Sequence, residues 1–338
     1  MMRTSQLVTT RSPDAVATVA SRDGLPTARP AARRGARWTA ADIPPQDGRV
    51  AVVTGTGGLG YESALALARA GGDVIVAGRD PARGDAAVAA IRRAAPGAVV
   101  RFAAVDLASL ASVRAFADRL HADRDRVDLL INNAGVMTPP ERRVTADGFE
   151  LQLGTNYLGH FALTAQLLPL LRRGRDPRVV TLSSIAARDG AIDFADLQAG
   201  QRYEPMPVYR QSKLACLMFA LELARRSAAA GWGVASLAAH PGVSRTDLLT
   251  NGAGPTSAAG RVRALLPFLF QPAAQGALPT LYAATAPGAA SGGYYGPHRL
   301  SETRGYPTAA RIPRQAEDRA VARDLWSVSE ALTGVAFP

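Results

Sequence analysis

From residue 49 onward, short and nearly continuous apolar runs alternate with longer segments in which Ala, Leu and Arg recur at helical spacing. The runs begin with Val50-Ala51-Val52-Val53 and Val74-Ile75-Val76, return at 99–105, 127–131, 178–182 and 234–238, and end with Gly293-Tyr294-Tyr295-Gly296. A strand that is apolar at consecutive positions is covered on both faces, which is the pattern of a parallel sheet between helical layers. The intervening stretches, such as 60–70, 81–94, 109–120, 148–171 and 209–229, carry the 3.6-residue spacing of helices.

This alternation predicts an α/β fold, a Rossmann-type doubly wound parallel sheet of about seven strands with helices on both faces. Residues 41–338 read as a single domain, with an irregular, apolar lid region at 244–272. Residues 1–40 lack apolar periodicity and carry seven arginines against Asp14 and Asp23, so they read as a disordered basic arm.

Composition narrows the function classes. The chain has 338 residues, 47% hydrophobic and 20% charged, and the apolar stretches break well short of the ~20 residues a membrane-spanning helix needs. Its one cysteine, Cys216, cannot form an intramolecular disulfide, and no Cys/His cluster has metal-ligand spacing, which fits a reducing, cytoplasmic setting and no metal. Net charge is +11, but 38 of the 39 basic residues are arginine and, beyond the arm, are spread over helix faces, so no nucleic-acid partner is expected. The one lysine, Lys213, then stands out, because a compact ammonium does chemistry that a guanidinium cannot.

In a doubly wound sheet, ligands bind beyond the carboxyl ends of the strands, and the candidate chemistry falls there. Thr54-Gly55-Thr56-Gly57-Gly58-Leu59-Gly60 follows the first strand and opens a helix, a turn through which backbone N–H groups approach a pyrophosphate. Arg79 follows the second strand where an acid usually binds the ribose of NAD; a guanidinium there suits the 2′-phosphate of NADP, unless it is one more solvated arginine. Asp106-Leu107 and Asn132-Asn133-Ala134-Gly135 lie at the ends of the third and fourth strands, for cofactor contact or for capping and tying strands together. Tyr209 and Lys213 stand one helical turn apart on the same face, and a nearby cation favours a phenolate, as a general acid/base requires. Ser184 ends the fifth strand and could bond the same substrate oxygen, while Asn156 interrupts a helical stretch with an amide.

Together these motifs resemble the short-chain dehydrogenase/reductase family over residues 49–335, with His240-Pro241-Gly242 as a further match. The 25-residue gap from Ser184 to Tyr209, Tyr157-Leu158-Gly159-His160-Phe161 and Gln211-Ser212-Lys213-Leu214-Ala215 resemble its retinol dehydrogenase and protochlorophyllide reductase-like branch. The resemblance implies an NAD(P)-dependent enzyme, NADP preferred, moving a hydride to or from a carbonyl or alcohol carbon of a hydrophobic small molecule. It implies Tyr209 as proton donor or acceptor, Ser184 polarising the carbonyl, Lys213 on the nicotinamide ribose, and Asn156 holding a relay water. Cofactor contacts would come from Thr54, Gly55, Gly57, Gly58, Leu59, Gly60, Arg79, Asp106, Leu107, Asn133, Ala134, Gly135, Tyr209 and Lys213. Pro241, Gly242, Val243 and Thr246 would close over the nicotinamide. The family's dimers and tetramers suggest a homo-oligomer, although the branch also contains monomers. One departure stands out: the family turn reads T-G-x-x-x-G-x-G and this one is a residue shorter. The alternative is therefore a non-catalytic nucleotide-binding homologue with a defective turn.

Overall fold

The computed structural model describes residues 37–244 and 271–338. Its strands are β1 (Val50–Thr54), β2 (Asp73–Gly78), β3 (Val100–Ala104), β4 (Leu129–Asn132), β5 (Arg178–Leu182), β6 (Ala235–Ala239), β7 (Tyr294–Arg299) and β8 (Arg304–Ala309). They form one sheet in the order β3-β2-β1-β4-β5-β6-β7-β8. All neighbours are parallel except β7 and β8, which make an antiparallel hairpin. The helices are α1 (Gly58–Arg69), α2 (Pro81–Ala94), α3 (Leu110–Asp123), the short α4 (Leu151–Leu153), α5 (Gly159–Leu171), α6 (Pro205–Ala230), α7 (Ala273–Thr285) and α8 (Arg319–Thr333). A single π-helical turn, Gly154–Leu158, joins α4 to α5.

Successive side chains of a strand point to opposite faces, and here both faces are buried. Val50, Val52, Ile75, Ala77 and Leu130 pack with α3, α5, α6 and α8, whereas Ala51, Val53, Val74, Val76, Leu129 and Ile131 pack with α1, α2 and α7. For that reason β1, β2 and β4 are apolar at nearly every position. In α5, eleven of thirteen residues are buried, because it lies between the sheet and other helices.

The sequence indicates about seven strands, and the structure adds an eighth. Arg304-Gly305-Tyr306-Pro307-Thr308-Ala309 is polar, proline-containing and only partly buried at the sheet edge, so it carries no apolar run. Helix α6 begins four residues earlier than its apolar spacing indicates, at Pro205, a residue whose fixed φ suits the first turn. The basic arm lies outside the described residues except at its end, where Arg37 lies over the Tyr306 ring and Trp38 meets Tyr282 edge-on. Nearly all of the 244–272 lid region, with Thr246, also lies outside them. Among the described residues no helix is long and apolar enough to cross a membrane.

On the α5/α6 face, Phe161, Phe219, Trp326 and Phe337 form an aromatic cluster with ring centroids 4.5 to 6.3 Å apart. It joins the C-terminal helix α8 to the two helices that carry the candidate site. Trp326→Ala should destabilise the fold by about 3–5 kcal/mol; a denaturant midpoint close to that of the unaltered chain would show that the cluster does not anchor α8.

Candidate active site

Two cavities open at the carboxyl end of the sheet, of about 510 Å³ and about 300 Å³, and Gly135 lines both. The larger runs from the turn after β1 to the end of β2 and is lined by Gly55, Thr56, Arg79, Asp106, Leu107 and Ala134, among others. The smaller is lined by Leu59, Asn133, Ser184, Tyr209, Lys213 and the segment from Pro241 to Ser244.

The glycines of the turn have separate duties. Gly55 has φ +102°, and a Cβ there would come within 2.6 Å of Asn133 Nδ2. A Cβ on Gly60 would collide with the Gly55 carbonyl, so the start of α1 packs directly on the turn. Gly57 faces open space. Although the turn is one residue short, the N–H groups of Thr56, Gly57, Gly58 and Leu59 donate to no acceptor among the described residues. Consecutive free donors at a helix N-terminus are of the kind that can bind an anion.

At the far end of the larger cavity, Arg79 is exposed and makes no hydrogen bond or ion pair among the described residues. Asp80 is engaged, since it caps α2 by accepting from Arg83 N–H at 3.2 Å and pairs with the Arg83 guanidinium at 3.6 Å. Arg83 lines the same cavity; nothing in its sequence context distinguishes it from other helix-face arginines. Asp106 accepts the Ala108 N–H at 3.0 Å on one carboxylate oxygen, so it is a loop cap that also borders the cavity.

Behind both cavities lies a buried polar network. The Thr54 hydroxyl accepts N–H groups from Asn133 at 2.9 Å and Ala134 at 3.0 Å, and lies 2.9 Å from His160 Nε2. His160 Nδ1 is 2.9 Å from the Asn156 carbonyl. That carbonyl can only accept, so Nδ1 carries the proton and Nε2 accepts from Thr54. Burial, with the nearby Lys213 ammonium, holds the His160 pKa down to about 4 against the opposing bond to Asn156, so the ring is neutral. The Asn133 amide donates to the Thr54 carbonyl at 2.6 Å, and Asn132 donates to Thr164 at 3.0 Å, so both asparagines do tie elements together.

Asn156 sits in the π turn. Its side chain accepts from Val136 N–H at 2.7 Å and donates to the Val136 carbonyl and the Ser212 hydroxyl, both at 3.0 Å. Ser212 in turn donates to the Tyr209 carbonyl at 2.8 Å. The side chain of Asn156 therefore reaches the catalytic-helix candidates through protein contacts.

Tyr209 is buried, yet its hydroxyl has no hydrogen-bond partner among the described residues and faces the smaller cavity. Lys213 donates one of its three hydrogens to the Leu182 carbonyl at 3.1 Å. Ser184 caps the short turn Ile185–Asp189 by accepting from Ala186 N–H at 3.2 Å, which leaves its own proton free. Gly242 has φ +64°, and a Cβ there would collide with the Thr303 carbonyl in the β7–β8 turn. Around these polar groups the walls are mostly apolar, with Leu59, Met137, Ile185 and Met206 among them.

The short chain dehydrogenase family profile matches residues 49–254. The chain is 43% identical to a Mus musculus polyprenol dehydrogenase and 41% identical to Homo sapiens retinol dehydrogenase 13, each over 297 residues and 86% of either chain. The protein belongs to the short-chain dehydrogenase/reductase family. Within the family it falls in the retinol dehydrogenase branch, and it is an NAD(P)-dependent oxidoreductase acting on alcohol or carbonyl groups. A crystal structure of an uncharacterised Mycobacterium paratuberculosis protein is similar over 90% of this chain and 100% of its own, with 41% identity and a TM-score of 0.75. The Pseudomonas aeruginosa RhlG/NADP active-site complex is similar over 74% of this chain and 94% of its own, with 26% identity and a TM-score of 0.59.

In this short-chain dehydrogenase, His160 carries the contact between the cofactor turn and the π turn, a role the sequence hides because a buried neutral histidine has no pattern of its own. His160→Phe removes the acceptor of the Thr54 proton, leaving it the Ile131 carbonyl at 3.3 Å, and leaves the Asn156 carbonyl with the Cys216 thiol at 3.2 Å as its side-chain donor. It should cost about 1–3 kcal/mol in urea unfolding. A variant as stable as the parent would show that the network is dispensable.

Proposed function

We propose that this short-chain dehydrogenase prefers NADP and exchanges a hydride with the carbonyl or alcohol carbon of a hydrophobic small molecule, with Tyr209 as the general acid/base. The observation that carries the reading is that the free Tyr209 hydroxyl, the free proton of Ser184 and the Lys213 ammonium all line one apolar-walled cavity, which meets the larger cleft at Gly135. The names of the relatives, retinol and polyprenol dehydrogenases, support a hydrophobic alcohol or its carbonyl product.

The residues present fit a dinucleotide. The free N–H groups of Thr56 to Leu59 would hold the pyrophosphate, and open space at Gly57 leaves room for it. Leu107, Ala134 and Gly135 would line the adenosine and ribose path between Asp106 and Lys213. Arg79, without another partner among the described residues, and Arg83 beside it would take the 2′-phosphate, while Asp80 is held at the α2 cap. These contacts favour NADP over NAD. A bound nicotinamide supplies or accepts the hydride.

The chain's own part is proton transfer and positioning. In the reducing direction, Ser184 donates a hydrogen bond to the carbonyl oxygen and Tyr209 gives that oxygen a proton as negative charge develops on it. Lys213 keeps two hydrogens beyond its bond to the Leu182 carbonyl, enough to hold a ribose hydroxyl. Asn156, bonded to Val136 and Ser212, holds the strand-end loop and the start of α6 in register.

Titration with NADPH and NADH, followed by nicotinamide fluorescence, tests the cofactor reading. Arg79→Ala should weaken NADPH by about ten- to hundredfold and leave NADH nearly unchanged; equal losses would remove Arg79 from 2′-phosphate recognition. Tyr209→Phe should lower kcat by at least about 100-fold while NADPH still binds. Retained turnover would reject Tyr209 as the acid/base.

A further inference from the structure

Three walls of the smaller cavity converge on one carboxylate outside the family's catalytic set. Leu300, Ser301 and Glu302, at the tip of the β7–β8 hairpin, have φ values of 49°, 53° and 67°. Three consecutive non-glycine residues in the left-handed region persist only where their surroundings over-determine them. Of the three, Glu302 is held by its side chain. One carboxylate oxygen accepts from Arg188 Nη2 at 2.5 Å and lies 2.9 Å from His240 Nε2, and the other accepts the Arg311 N–H at 3.0 Å.

Each bond leads to a different wall. Arg188 lies in the Ile185–Asp189 turn that Ser184 caps, and its guanidinium also donates to the Ser301 carbonyl at 3.0 Å. His240 is fully buried at the end of β6, and its Nδ1 is 3.2 Å from the Gly242 nitrogen. The Gly242 N–H can only donate, so Nδ1 accepts and Nε2–H donates to Glu302. The carboxylate thereby fixes the ring orientation that holds Gly242. Next along the hairpin, the Thr303 carbonyl accepts the Val243 N–H at 2.7 Å, and Thr303 itself lines the cavity. Gly296 lacks a side chain where a Cβ would collide with the imidazole, so the hairpin is shaped around His240.

We propose that Glu302 is a positioning residue for the reaction: it locks the Ser184 turn and the Pro241–Val243 segment into one wall, and so sets where the substrate oxygen lies relative to Ser184 and Tyr209. This rests on the reading of the smaller cavity as the substrate site. Arg188 and His240 share one carboxylate oxygen, whose place a glutamine oxygen could take, so the variant that breaks the junction at similar volume is Glu302→Leu, which has no side-chain acceptor.

In the full-length protein, well below its Tm, Glu302→Leu should lower kcat/KM for the carbonyl substrate about ten- to hundredfold, while NADPH affinity changes less than about threefold. Arg188→Gln should have a similar effect, and the double variant should be little worse than either single one. Hydrogen exchange gives a readout free of turnover: in Glu302→Leu, amides of 185–189 and 241–244 should exchange about tenfold faster together, with 55–60 unchanged. Unchanged kcat/KM and exchange in both segments, or an increase spread evenly over the fold, would overturn the proposal. Absence of turnover in the parent enzyme with NADPH and a panel of hydrophobic carbonyls would sink the functional reading alone, and the exchange comparison would still decide the role of Glu302.

Discussion

The hydroxyl of Thr54 sits where three elements must agree. It ends β1, receives the amides of Asn133 and Ala134 as the chain leaves β4, and gives its proton to His160 on α5. Neutral His160 passes the constraint to the Asn156 carbonyl in the π turn, and the Asn156 side chain passes it to Val136 and, through Ser212, to the backbone of Tyr209. A buried hydrogen-bond network of this kind contributes little net energy per bond but is costly to leave partly made. Its value here is geometric. Gly135, where the two cavities meet, lies between anchored residues on both sides.

The shortened glycine turn is built into this frame. Removal of one residue from the loop does not change what α1 must do, which is to start at the end of β1 with its first amides unpaired. Gly55 and Gly60 supply the close backbone approach, and Asn133 fills the remaining space with its amide. The one-residue difference is taken up by local packing, and the N–H groups of Thr56 to Leu59 stay unpaired among the described residues.

Much of the architecture was legible because β1, β2, β4, β5 and β6, buried on both faces, leave largely apolar runs, while the edge strand β3 still shows Val100 and Phe102 and β7 its Tyr294-Tyr295 start. The eighth was silent for the opposite reason: Arg304–Ala309 is an edge strand with Gly305 and Pro307, held by pairing to β7 rather than by burial. In the site, Tyr209, Lys213 and Ser184 were legible because their chemistry demands particular residue types at particular spacings. Asn156 was legible as an oddity in a helix, but its partners were not, since Val136 and Ser212 are distant in sequence. Arg83 was hidden among 37 other arginines. Glu302 could not be found at all, because its partners Arg188, His240 and Arg311 meet only through the fold.

The hairpin that lines the smaller cavity also finishes the sheet. On β8, Pro307 stands opposite Pro297 of β7, the register shifts between Pro297 and Arg299, and Arg304 starts the strand. A proline offers no amide to an incoming strand, and a bulge twists the edge away from a flat template. The outer rim of the sheet is thus poorly suited to pairing with another chain, and the segment that shapes the pocket doubles as its guard against strand-by-strand aggregation.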